Sequence, residues 1–325
     1  MTALPVFARP AAPFAPDQSP PMRAVLLGCG VVGGGVLDLA PAGVRIDAVL
    51  ARTPRPAGLS GIPVFTDPEA VFALDPDLVI DALPGDETAE IIVARAVAEG
   101  RHVVTANKRT AARRPDLAKL AKANGKTFAC SSAVGGGAPV LETAAKLVAL
   151  GRKTTRVRGV LNGTSNYVLD RLAKGEALAE AVAAAQAAGF AEADPSADLD
   201  GVDAAHKLVL IARTLWGEDL DVDAVKTESI SNLPDGAAAA VARGGEVLRQ
   251  VGRLTRTATG VRATVRLEAL SRADALARTR NEGNCVLFAA EDGDATLVCG
   301  KGAGRVPTAA SLVGDLARLC QGRVQ

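Results

Sequence analysis

The hexapeptide Gly28-Cys29-Gly30-Val31-Val32-Gly33 follows directly on the apolar run "AVLL" and opens a segment with helical spacing. A strand that ends in GxGxxG and turns at once into a helix constrains the fold more than any other feature of the chain. The first glycine allows the tight turn, the second lets a phosphate approach the backbone, and the third permits close packing of helix on strand. The helix N-terminus adds a favourable potential for an anion. In a chain with 33 glycines the hexapeptide alone is weak; the order strand, loop, helix is what raises it.

The same alternation continues. "VRIDAVL", "DLVIDAL", "HVVTA" and "KTFAC" read as strands, and "ETAEIIVARAVAEG" and "RRPDLAKLAKANG" read as helices between them. This is the pattern of an α/β fold with a Rossmann-like doubly wound parallel sheet, which places ligands at strand C-terminal ends. "TANKR" at residues 105–109 stands at such an end. Its Asn-Lys pair either carries chemistry or turns to solvent, and its neighbours in the sheet favour chemistry.

Residues 1–21 are proline-rich and aperiodic, and read as a disordered tail. Residues 22–138 form the dinucleotide-binding domain in this reading. Beyond about residue 139 the pattern changes to a long helix, a strand-like "TTRVRGVL" and, from Gly244 to Val298, alternating segments of antiparallel type. A second, α+β domain over 139–300 is expected.

The second strand, "VRIDAVL", ends in Ala51-Arg52 and carries no acidic residue at the position that would bind a ribose 2′-hydroxyl; Asp47 comes too early. Arg52 and Arg55 are placed to meet a 2′-phosphate, which favours NADP over NAD. The alternative is that both arginines are solvated loop residues.

The 37 basic and 36 acidic residues nearly cancel, so no general attraction to nucleic acid or anionic membrane is expected. No apolar run approaches a membrane span and no signal-peptide pattern is present. Five cysteines without CxxC spacing point to thiols in a reducing cytoplasm.

In "AAGFAEADPSADLDGVDAAHKLVLIA", a helix from Val202 carries apolar residues on nearly all sides, so Asp203 and Lys207, four residues apart, share a partly dry face. Buried charges are costly unless paired or used, which favours a functional reading.

This segment resembles the signature of homoserine dehydrogenases. Three other stretches share the resemblance: "TANK", "NGTSNY" at 162–167 and "GKGAGRVPTAASLVGDL" at 300–316. With "GCGVVG" they span almost the whole folded chain. The resemblance implies reversible reduction of L-aspartate 4-semialdehyde to L-homoserine with NAD(P)H, in threonine, methionine and isoleucine biosynthesis. It also implies a homodimer built through the second domain, and a C-terminal segment, 301–325, that packs back on the first.

The resemblance further implies Lys207 as general acid/base and Lys108 as the group that orients substrate and stabilises the alkoxide, or the two exchanged. Glu192, Asp198 and Asp203 would meet the substrate ammonium, with Gly163 and Thr164 beside it; Thr164 or Ser165 also suits a helix N-cap. Cofactor contacts are expected from Gly28, Gly30, Val31, Val32, Gly33, Thr105, Ala106, Asn107, Lys108, Gly302 and Gly304, with Pro307 and Thr308 opening the last helix.

Two positions depart from the family. Phe190 replaces a tyrosine, and Ser131 replaces the glutamate of a loop that holds Na+ or K+ in relatives, leaving only the carbonyls of Val134, Gly136 and Ala138. No room is expected for a C-terminal regulatory domain, and so no threonine feedback through one. Two other readings stay open: an NADP-dependent enzyme acting on a different small amino acid or aldehyde, and a non-catalytic dinucleotide sensor.

Overall fold

In the computed structural model, residues 20–39, 43–54, 59 and 61–322 are described. The expected tail thus lies almost entirely outside the described residues, and so does Arg55. Strands β1 (Met22–Leu27), β2 (Val44–Leu50), β3 (Val64–Phe65), β4 (Leu78–Asp81), β5 (His102–Thr105) and β6 (Phe128–Ala129) form one parallel sheet in the order β3-β2-β1-β4-β5-β6. This is the doubly wound order, and its reversal between β1 and β4 opens the crevice in which such sheets take ligands.

Helices α1 (Val31–Leu39), α2 (Pro68–Phe72), α3 (Glu87–Ala98), α4 (Lys108–Arg113) and α5 (Pro115–Ala123) connect the strands. Because both faces are covered, the strands are apolar on both sides. Val25, Val79 and Val103 pack against Val93 and Ala96 of α3 and Leu117 of α5. On the other face, Ala24, Leu26 and Ile80 pack with Val36 of α1 and with residues from the far end of the chain.

The second part comprises α6 (Val140–Ala149), β7 (Thr154–Val160), α7 (Gly163–Leu172), α8 (Leu178–Ala187), α9 (Ser196–Leu199), α10 (Val202–Trp216), β8 (Lys226–Thr227), α11 (Ala237–Arg243), β9 (Glu246–Thr257), β10 (Gly260–Ser271), β11 (Gly283–Ala290) and β12 (Ala295–Lys301). Its sheet runs β12-β11-β7-β9-β10-β8 and is antiparallel except for the β10–β8 pair. Helix α10 lies on this sheet with α6, burying Leu208, Ile211 and Leu215 against Val157, Leu254 and Phe288. Arg249 of β9 is buried and forms an ion pair of 2.9 Å with Asp170 of α7.

The last helix, α12 (Arg305–Gln321), returns to the first sheet and packs against α1, with Ala309, Leu312, Leu316 and Leu319 completing that core. It begins two residues before Pro307, so the proline sits inside its first turn, where no intrahelical N–H bond is lost. The cysteines also depart from expectation: Cys285 and Cys299 are direct cross-strand partners on β11 and β12 and are joined by a disulfide, while Cys29 and Cys130 keep free thiols and the Cys320 thiol donates to Gly43 O at 3.6 Å. No described helix is long and apolar enough to cross a membrane.

Candidate active site

Strands β4 and β5 end side by side at the crevice, and a chain of hydrogen bonds fixes the turn that follows. Asp81, fully buried, accepts from the Thr105 hydroxyl at 2.7 Å and from Leu83 N–H at 3.0 Å. Thr105 Oγ1 accepts in turn from Asn107 N–H at 2.8 Å, and Asn107 Oδ1 caps α4 by accepting from Thr110 N–H at 3.2 Å. Burial pushes the Asp81 carboxyl up to about 6, against the two donors that favour its charged form. Thr105, expected among the cofactor contacts, is thus turned away from the cleft as an internal brace. Its neighbour Lys108 becomes the first residue of α4 and projects into the cleft.

The facing wall is α10. It starts after Gly201, which adopts φ 78°, and its residues from Asp203 to Ala212 are all buried. Asp203 Oδ1 binds Lys108 Nζ at 2.6 Å, and its Oδ2 binds Lys207 Nζ at 2.7 Å. Lys207 also donates to the carbonyl of Leu161 at the end of β7. Two lysines from different parts of the fold therefore meet on one carboxylate. Lys207 is 8% exposed, whereas Lys108 is 44% exposed and reachable from the cleft.

Asn162 joins the acidic residues. Its Nδ2 donates to Asp198 at 2.7 Å and to Asp203 Oδ2 at 2.9 Å, and its Oδ1 caps α7 through Ser165 N–H at 2.8 Å. The cap is therefore Asn162 rather than Thr164 or Ser165, whose hydroxyls bond Phe190 O at 2.6 Å and Asp198 O at 3.0 Å. Burial works against the Asp203 charge, but the two ammonium groups outweigh it and hold the carboxyl far below the usual range. The same contact raises Lys108, chiefly through the charge of Asp203. Asp198 is raised, first by burial and then by the Asp203 charge.

These groups line a cleft of about 970 Å³ between the two sheets. Of the expected site residues it gathers Val32, Ala106, Asn107, Lys108, Gly163, Thr164, Glu192, Asp198, Asp203, Lys207, Gly302 and Gly304. Phe190 lies on the same wall and stacks on Tyr167 with ring centroids 4.6 Å apart.

Of the glycine-rich loop, Val32 lines this cleft and the remaining residues do not. Gly28 has φ +86°, and a Cβ there would fall 2.8 Å from Ala82 O; a Cβ on Gly33 would fall 2.0 Å from Gly28 O. Both glycines are sterically required. Gly30 meets nothing within 4 Å and Val31 is exposed, so the open backbone at the start of α1 is free to receive a phosphate. Arg52 is exposed just past the end of β2.

The loop of Val134, Gly136 and Ala138 is occupied with its own contacts. Ala138 O accepts from Val140 N–H at 2.7 Å, and Gly136 packs closely on Gly302. Ser131 N–H and Oγ both donate to Asp315 of α12, at 2.9 and 2.8 Å.

Among the lining residues that escaped the sequence reading are Asn162, His206 and Asn284. Asn162 was visible as a cap-competent residue opening "NGTSNY". His206 bonds Val202 O at 2.8 Å through Nδ1 and leaves Nε2 unpaired; burial holds it below the ordinary histidine value. Asn284 lies in an otherwise apolar strand, where periodicity carries no signal for it.

Comparison with known proteins agrees with this geometry. The family described as homoserine dehydrogenase matches residues 139–317, and the homoserine dehydrogenase NAD binding domain matches residues 28–131. A homoserine dehydrogenase of Pseudomonas aeruginosa is 32% identical over 91% of this chain and 71% of its own length. An NAD(+)-dependent homoserine dehydrogenase of Pseudomonas canavaninivorans is 37% identical over 84% of this chain and 81% of its own. The crystal structure of a homoserine dehydrogenase from Thiobacillus denitrificans superimposes with a TM-score of 0.87 at 30% identity, covering 94% of this chain and 74% of that one. The lysine pair on Asp203, the glycine loop and these relatives together place the chain in the homoserine dehydrogenase family.

Proposed function

We propose that Lys207 is the general acid/base of the homoserine dehydrogenase reaction and that Lys108 orients the substrate and stabilises the developing alkoxide. The observation that carries this is the convergence of both ammonium groups on Asp203 at 2.6 and 2.7 Å. A bound reduced nicotinamide dinucleotide supplies the hydride for L-aspartate 4-semialdehyde. The residues present suit such a group: open backbone at Gly30 and Val31, close-packed Gly28 and Gly33, and an Asn107 Nδ2 that is buried without a partner.

Lys207, paired and nearly dry, holds the proton that the alkoxide oxygen takes up on reduction and recovers it on oxidation. Lys108 reaches the same oxygen from the open side of the cleft. Glu192 and Asp198 line the wall where the substrate ammonium would be received, beside Gly163 and Thr164. Asp203 holds the two lysines together.

For the cofactor, we favour NADP over NAD because Arg52 follows β2 and no acidic residue stands at its end. We assign no role to Na+ or K+: Ser131 brings no carboxylate, Asp315 is engaged with Ser131, and the Ala138 carbonyl already accepts a hydrogen bond. Residues 22–138 serve as the dinucleotide domain, 139–300 as the substrate and dimerisation domain, and 301–325 as the returning segment. A homodimer through the second domain is supported by Leu297, exposed beside its strand partner Leu287, and a cytoplasmic site by the biosynthetic reaction.

Steady-state kinetics with L-homoserine and either oxidised cofactor test this reading, in the wild type and in Lys207→Ala. Wild-type turnover with a higher kcat/KM for NADP+ and its collapse in the variant are expected. Turnover unchanged by the substitution would sink the assignment of Lys207.

A further inference from the structure

Asn284 is 1% exposed, and neither Oδ1 nor Nδ2 has a hydrogen-bond partner. An amide buried with both its donor and its acceptor idle is unfavourable, and native structures seldom keep one without a use. It stands near the start of β11, on the cleft wall, between two segments that belong to different halves of the site. On one side Asn281 and Glu282 pack against Gly163 of the substrate wall. On the other, the amide lies flat against Gly302, where a Cβ would fall 2.3 Å from Oδ1 and 2.6 Å from Nδ2. Only glycine fits there, and its missing side chain leaves Asn284 as the side chain filling that stretch of wall.

We infer that Asn284 recognises the carboxamide of the nicotinamide ring, with its Nδ2 donating to the carboxamide oxygen and its Oδ1 accepting from the carboxamide nitrogen. The inference rests on the dinucleotide-dependent reading above. A substrate carboxylate alone would satisfy Nδ2 and oppose Oδ1, and the substrate ammonium, the group that could satisfy Oδ1, is already received by Glu192 and Asp198 in the reading above. A primary carboxamide satisfies both. The position also suits the ring, since the reacting end of the cofactor must lie where the glycine-loop side and the lysine side of the cleft meet.

The test compares NADP+ with its 3-acetylpyridine analogue, which keeps the carbonyl and replaces the carboxamide NH2 by methyl. Dissociation constants from calorimetry are measured for the wild type, Asn284→Ala and the more nearly isosteric Asn284→Asp, each checked for native circular dichroism. The wild type should bind NADP+ about tenfold or more tightly than the analogue, a ratio near that of one lost hydrogen bond. Asn284→Ala should bring that ratio to within about twofold of one, and Asn284→Asp should weaken NADP+ binding without altering the KM for homoserine. A ratio preserved in Asn284→Ala overturns the inference, as does a change confined to the homoserine KM. Wild-type turnover of homoserine is measured alongside, so that failure of the enzymatic reading is recognised separately from failure of the Asn284 contact.

Discussion

Asp203 and Lys207 stand one turn apart on α10 and hold an ion pair of 2.7 Å that is almost wholly shielded from solvent. Such a pair is unfavourable to build and disruptive to break. Lys108 closes on the other carboxylate oxygen, so both ammonium groups meet at the cleft, a burial that a surface brace does not have.

Removing the proposed proton carrier should slow the chemical step. Lys207→Ala is expected to lower kcat by about 10²–10⁴-fold, the usual range for loss of a positioned acid or base. Dinucleotide affinity should change little. Pre-steady-state oxidation of the reduced cofactor separates the two effects, and a loss confined to cofactor binding would contradict the role.

The Asp203 charge is the main cause that raises Lys108. Asp203→Asn removes it and leaves two ammonium groups facing each other, so Lys108 should release its proton at lower pH. The alkaline limb of kcat/KM for semialdehyde reduction is therefore expected to move down in pH. A limb that stayed in place or rose would show that Asp203 does not govern this titration.

Asp81 offers a stability measurement with the opposite sign from a salt-bridged carboxylate. Its folded value, about 6, lies above the ordinary one, so its contribution is complete below the usual carboxylate range and is lost as pH rises through about 6. Asp81→Asn removes the charge and keeps one acceptor, for Leu83 N–H, while its amide NH2 faces the Thr105 hydroxyl, whose oxygen can accept. The variant should be more stable than the wild type at pH 7.5, by at most about 2–3 kcal/mol. That advantage should vanish near pH 4, as read by chemical denaturation at both values.

Arg249 is buried against Asp170, with further bonds to Thr279 O and Leu248 O. Truncation to alanine strands a partly buried carboxylate and opens a cavity, and should cost about 3–5 kcal/mol. Urea unfolding followed by circular dichroism measures it; a cost under about 1 kcal/mol would mean the pair is effectively solvated.

Much of the fold was legible because it rests on local rules. The glycine loop needed Gly28 and Gly33 for sterics that any such turn imposes, and α10 announced its burial through apolar residues all round. What escaped depends on register and on competition between like residues. Cys285 and Cys299 face each other only because the β11–β12 hairpin aligns Gly283 with Lys301, which no spacing rule reveals. Asn162, Thr164 and Ser165 are all able to cap α7, and the choice falls to the residue whose backbone is still extended as the chain leaves β7. Thr105 was assigned to the cleft by its place in "TANK", whereas the buried charge of Asp81 claims its hydroxyl.

The return of α12 to the first sheet has a consequence for biosynthesis of the chain itself. Ala309, Leu312, Leu316 and Leu319 supply apolar cover for strands that leave the ribosome more than two hundred residues earlier. That sheet therefore carries an uncovered apolar strip while the second domain is being made, and exposed apolar surface of this kind is where folding intermediates aggregate.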